Sequence, residues 1–189
     1  IPAPGLTGHF RAATIDNPLK QWPLRPQMSS SRVNGKFLDV DGQRFLVKGV
    51  TYGTFAPDAA GAQFPSRDRI DQDFAMMAAH GINTVRVYTV ATEPLLDAAG
   101  THGLRVVAGI PWAQHVAFLD NPALQRQVRR EVASTVAQFA SHPAVLMFAV
   151  GNEIPAAVVR WHGQRRVERF LRELYLDAKS AAPDSLLTY

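Results

Sequence analysis

From Phe45 onward the chain alternates short apolar runs with longer amphipathic ones, and no other feature limits its fold so strongly. FLVKGV (45–50), INTVRVY (82–88), LRVVAGIPW (104–112) and VLMFAV (145–150) read as strands, and LLTY (186–189) begins a fifth. The segments between them, SRDRIDQDFAMMAAHG, TEPLLDAAGTHG, NPALQRQVRREVASTVAQFASHP and GQRRVERFLRELYLDAKSAAPDS, carry helical spacing. Ser66 reads as the N-cap of the first helix, Gly81 and Gly103 as stops of the first two, and Pro122 as the first position of the third. Strands that are apolar nearly throughout belong in a parallel sheet covered by helices. A doubly wound sheet and a (β/α)8 TIM barrel both suit this α/β pattern. The first strand-to-helix turn, GVTYGTFAP, lacks the glycine spacing of a phosphate loop. Polar and aromatic residues gather instead after every strand, where barrel enzymes keep their chemistry. The barrel is favoured, with this chain covering strands one to four and the start of strand five.

Ahead of the barrel, Asn34-Gly35 and Asp41-Gly42 punctuate short alternating runs and predict a β-hairpin. Residues 1–32 are rich in proline and without a clean period, so they read as an extended lead-in to a unit spanning 33–189. A chain of 189 residues is long enough for one substantial core and too short for two comfortable domains. It begins with Ile1 and shows no signal-peptide pattern, so the expectation is a processed, excised or trimmed chain. Cysteine is absent, which excludes disulfides and thiolate metal sites. No apolar run approaches the roughly 20 residues of a membrane span. The net charge of +4 comes largely from arginines at 126–130 and 160–172, interleaved with Glu131, Glu168 and Glu173. Such mixing indicates solvated, partly paired helix faces, and no pattern of stacking aromatics points to nucleic acid.

If the sheet is parallel, one rim collects Tyr52 after strand one, Arg86 and Tyr88 at strand two, and Trp112, Gln114 and His115 after strand three. Asn152 and Glu153 follow strand four, with Trp161 and His162 slightly later. Aromatic faces beside Arg, Asn, Glu and His suit a sugar, whose apolar face stacks on rings while its hydroxyls bond the polar groups. Each residue also has a plainer reading. Tyr52 and Tyr88 serve equally as packing, Trp112 as a loop anchor, Arg86 as one half of a buried ion pair, and His115 as a solvent histidine. His80, His102 and His142 sit at helix ends, where histidine commonly supports the last carbonyls. No histidine pair has metal-ligand spacing, so neither a metal nor another cofactor is expected. Glu153 competes with a helix-capping role, yet it leaves an apolar strand directly through Gly151-Asn152, and Pro155 restricts the next turn.

HPAVLMFAVGNE (142–153) closely resembles the strand-four signature of clan A retaining glycoside hydrolases, in which Asn-Glu follows an apolar strand. FLVKGVTYG and MMAAHGINTVRVYT resemble the clan's strand one and its helix-one to strand-two segment. Over roughly residues 33–189 the likeness is to the barrel domain of glycoside hydrolase family 2, a type also found joined to family 2 glycosyltransferases in bacterial envelope-polysaccharide proteins. The resemblance implies Glu153 as general acid/base, Asn152 bonding the sugar 2-hydroxyl, and Arg86 orienting a nucleophilic carboxylate. It implies an oligosaccharide or polysaccharide substrate, and a bacterial cytoplasmic or envelope location. Val87-Tyr88-Thr89-Val90 stands where the family usually has a His-Tyr-Pro-like stretch, which leaves the sugar undetermined.

Retaining cleavage needs two carboxyl groups about 5 Å apart, and the resemblance puts the nucleophile on a strand seven beyond Tyr189. Asp58 and Asp120 read as turn residues, and Asp39 and Asp41 as hairpin residues at the other end of the barrel. Closing eight strands takes about 250 residues, so the expectation is further chain or a second copy completing the barrel, and the resemblance adds an attached glycosyltransferase as a partner. Two other functions compete with hydrolysis or transglycosylation. One is a carbohydrate-binding barrel that assists an attached synthase; the other is an unrelated α/β enzyme in which Glu153 caps a helix.

Overall fold

A computed structural model of the chain describes residues 31–189. The lead-in expected over 1–32 lies outside them except for Ser31 and Arg32, which pair with Val40 and Asp39. Three short antiparallel strands come first: β1 (Ser31–Asn34), β2 (Phe37–Val40) and β3 (Gln43–Phe45). Both turns have two residues, as the register Asn34↔Phe37 and Val40↔Gln43 requires. Asp41 and Gly42 both hold positive φ, 53° and 79°, the mirror-image turn that fits the right-handed twist of paired strands. The expected hairpin is present, and the two turn signals together join three strands into a meander. It sits at the barrel's N-terminal end, where Asp41 accepts a 3.0 Å bond from Arg105 at the start of a barrel strand.

The parallel strands are β4 (Gly49–Thr51), β5 (Thr84–Val87), β6 (Arg105–Gly109), β7 (Val145–Ala149) and β8 (Leu187–Thr188). They lie in the order β4-β5-β6-β7-β8, every neighbouring pair parallel. This order separates the two architectures. A doubly wound sheet reverses direction at a switch point, whereas a barrel adds each strand beside the last. The described residues therefore form five consecutive strands of a TIM barrel. Strand one begins at Gly49, not at the expected Phe45, because Phe45 completes the meander opposite Leu38. Between them the backbone is held by Asn83, which accepts from Lys48 N (2.8 Å) and donates to Leu46 O (2.8 Å).

The helices are α1 (Arg67–Ala79), α2 (Glu93–Thr101), α3 (Pro122–Phe139), α4 (Ala156–His162) and α5 (Gln164–Ala181). Ser66 caps α1 through its side chain, and Asn121 accepts from two amides at the start of α3, with Pro122 at the first position. Strand residues Val85, Val87, Val106, Ala108 and Phe148 point into the helix layer and are buried with Phe74, Phe118 and Phe170. Each fully buried Phe stabilises the fold by about 1.5–3 kcal/mol. On the opposite, barrel-interior side, Thr51, Arg86, Val107 and Met147 lie side by side in register. His80 supports the Met76 carbonyl, as helix-end histidines do, while His102 and His142 reach Asp71 and Asp97 on the preceding helix. Arg129 clamps α3 to α5 through Asp177 (2.6 and 2.9 Å) and Glu173 (3.1 Å). No helix among the described residues is long and apolar enough to cross a membrane.

Candidate active site

Parallel strands point their C-terminal ends to one side, so the residues after β5, β6 and β7 meet on a single rim. There a cavity of about 160 Å³ is lined by Arg86, Tyr88, Trp112, Gln114, His115 and Asn152, with Gly109 and Gly151 in its wall. Arg86 Nη2 donates to Asn152 Oδ1 at 2.7 Å, and the guanidinium stands 4.6 Å from the Tyr88 ring centre. An arginine can only donate, so this bond fixes the amide of Asn152 with its oxygen towards Arg86 and its NH2 turned elsewhere. Gln114 Oε1 in turn accepts from the Asn152 backbone N–H at 2.9 Å. Trp112 Nε1 donates to Val150 O at 2.9 Å, tying the β6 loop to the end of β7. Arg86 Nε is buried and has no partner among the described residues, a position that ordinarily demands an acceptor.

Glu153 directly follows the cavity-lining Asn152 but is not itself a lining residue, and it is exposed. Its φ of 47° is left-handed, a conformation that favours glycine and that a glutamate adopts at a cost of about 1–2 kcal/mol. The turn lets the chain leave β7 sharply before α4 begins at Ala156. Among the described residues, none that lines the cavity is an Asp or Glu. Asp58 accepts from Ala60 N and Ala62 N in a loop turn, and Asp39 is engaged in the meander by Asn34 at 2.8 Å. Among the described residues no three His, Asp or Glu side chains converge as a metal site.

Arg86, Tyr88, Trp112, His115 and Asn152 are brought together as the sequence suggested, with Glu153 beside them. Tyr52 and His162 are not on this cavity. Tyr52 follows Thr51, and strand alternation turns it away from the face that Thr51 shares with Arg86. It is 5 % exposed, packs edge-on against Phe55 and Phe74 at 5.0 Å, and donates to Asp73 at 3.0 Å. Burial first, and the bond to Asp73 second, push the Tyr52 phenol well above its ordinary range. His162 is 4 % exposed, lies against Phe118, and accepts from Leu119 N at 3.3 Å. Its neighbour Trp161 faces outward, 73 % exposed, its indole N–H held by Asp120 at 2.6 Å. Two residues outside the expected site set belong beside it. Gln114 was visible only as a rim residue, and Tyr189, whose ring lies against Gly151, carried no local signal at all.

Residues 31–175 match the family described as "Glycosyl hydrolases family 2, TIM barrel domain". Among solved structures, the chain is similar to a β-glucuronidase of Parabacteroides merdae, with 24% identity and a TM-score of 0.70, covering 84% of this chain and 20% of that one. It is similar to β-glucuronidase 3 of Bacteroides uniformis at 19% identity and a TM-score of 0.69, with the same two coverages, 84% and 20%. For a β-glucuronidase of Bifidobacterium dentium the values are 17% identity and a TM-score of 0.65, covering 85% and 26%. The chain thus spans a fifth to a quarter of these structures' length, and at such identities the likeness is one of fold. Nothing among curated proteins matches the chain.

Proposed function

We propose that this chain, which belongs to glycosyl hydrolases family 2 through its TIM barrel domain, carries the acid/base half of a retaining β-glycoside-cleaving site. Its substrate is an oligosaccharide or polysaccharide, and the product forms by hydrolysis or by transfer to another sugar. The observation that carries this reading is the Arg86–Asn152 bond of 2.7 Å beside Glu153. With its oxygen engaged by Arg86, Asn152 offers its NH2 to a sugar hydroxyl held in the cavity. Glu153 protonates the departing glycosidic oxygen, then takes a proton from the water or acceptor sugar that attacks the glycosyl-enzyme. The nucleophilic carboxylate lies outside the described residues, and the unpartnered Arg86 Nε is the donor that orients it. Tyr88 and Trp112 give the cavity apolar faces for a pyranose ring, His115 bonds its hydroxyls, and Trp161 offers an outer stacking surface to the next sugar along.

A second reading, a carbohydrate-binding barrel serving an attached polysaccharide synthase, draws support from a cavity lining that, among the described residues, holds aromatic and polar side chains without a carboxylate. Glu153→Gln in the full-length protein separates the two. The acid/base reading expects kcat on natural glycosides to fall by roughly 100-fold or more with saccharide affinity retained. Unchanged turnover, or no turnover by the parent protein, removes it.

A further inference from the structure

The left-handed backbone at Glu153 persists only because its surroundings impose it, and those surroundings can be named. On the N-terminal side, Asn152 N donates to Gln114 Oε1 at 2.9 Å. On the C-terminal side, Ile154 N donates to the hydroxyl of Tyr189 at 2.9 Å. Tyr189 follows β8 directly, and β8 pairs with β7 through Ala149↔Thr188 and a 3.0 Å bond from Val150 N to Thr188 O. Its ring also lies over Gly151. A Cβ there would stand 2.6 and 2.8 Å from Tyr189 Cε2 and Cδ2, so the ring packs where only a glycine leaves room. Trp112 closes the other flank, 3.6 Å from the same point.

We infer that Tyr189 is a positioning residue for Glu153: its ring on Gly151 and its hydroxyl on Ile154 N fix the turn that aims the Glu153 carboxyl at the glycosidic oxygen. This rests on the acid/base role proposed above. Tyr189 touches no reacting atom; it acts through the backbone on both sides of the acid. The neighbouring strand of the barrel thereby sets the direction of a carboxylate carried by β7.

Leaving-group dependence tests it. A glycoside with a poor leaving group needs a proton from the acid, whereas 2,4-dinitrophenolate departs without one. Full-length wild type, Tyr189→Phe, Gly151→Ala and Glu153→Gln are compared on β-glucosides or β-galactosides running from 2,4-dinitrophenyl to 4-methoxyphenyl. Tyr189→Phe keeps the ring and removes one hydrogen bond; kcat/KM should fall roughly 10-fold on the 4-methoxyphenyl substrate and about 2-fold or less on the dinitrophenyl one. Gly151→Ala, which displaces the ring, should skew the series the same way, and Glu153→Gln more steeply. An equal loss across the series in Tyr189→Phe, or no loss, with Glu153→Gln still skewed, overturns the role of Tyr189 alone. A flat series for Glu153→Gln overturns the acid/base reading, and the positioning role with it.

Discussion

Two glycines should respond to the same substitution with opposite signs. Gly109 ends β6 in the cavity wall, and a Cβ there would stand 2.4 Å from the Val87 carbonyl oxygen and 3.2 Å from Tyr88 Cα. Both neighbours are backbone, so no side chain can swing away. Ordinary contact begins at 3.4 Å, and β5 and β6 would have to part by about 1 Å where Val87 pairs with Ala108. Overpacking of this kind costs about 1–3 kcal/mol, and a weakened ladder bond adds about 1 kcal/mol. Gly100 lies in the last turn of α2, and among the described residues its Cβ would meet only the Ala144 methyl, at 3.9 Å. Replacing a helical glycine by alanine there stabilises by about 0.5–1 kcal/mol. In thermal unfolding followed by circular dichroism, Gly109→Ala should melt several degrees below wild type and Gly100→Ala a degree or more above it, at about 2–4 °C per kcal/mol. A Gly109→Ala protein that melts at or above the wild-type temperature would refute the close approach of β5 and β6 under the rim.

Tyr52→Phe should cost about 1 kcal/mol by stranding Asp73 of one donor, and leave turnover unchanged. Because the Tyr52 phenol binds its proton more tightly folded than unfolded, its contribution is intact below the unfolded phenol pKa of about 10. Stability falls as pH rises above that point, and the phenylalanine variant should lose part of that alkaline slope in denaturant titrations at pH 9 to 11. Trp161→Ala should raise KM for long oligosaccharides by roughly 2- to 10-fold, the loss of one stacked ring, while aryl monosaccharides are turned over as before.

The strand-helix alternation and the capping residues were legible because they act locally. Ser66, Gly81 and Pro122 punctuate the helices where the sequence puts them, since a cap needs only its own turn. The start of strand one was not, because Phe45 continues the same alternation whether it pairs with β2 or with β5. The short helix α4 escaped for a similar reason: Pro155 and Gly163 bracket seven residues, too few for a period to emerge. In the site, Arg86, Asn152 and Glu153 announced themselves as polar residues at the ends of apolar strands. Tyr52 and His162 resembled them in type, but which face a side chain takes depends on register and on the helix packed behind it. Tyr189 meets Gly151 and Ile154 from 35 to 38 residues away, a contact made by strand pairing and invisible to local pattern.

Whether Glu153 is the acid/base is most directly answered by azide rescue of Glu153→Ala in the full-length protein. Once the carboxylate is gone, a small anion can enter its place and attack the glycosyl-enzyme without general-base help. With 2,4-dinitrophenyl β-glycosides, sodium azide should restore turnover by at least roughly 10-fold and yield the β-glycosyl azide, with configuration retained. Rescue that yields the inverted azide would make Glu153 the nucleophile. A Glu153→Ala protein as active as wild type and indifferent to azide would return Glu153 to the role of a turn residue.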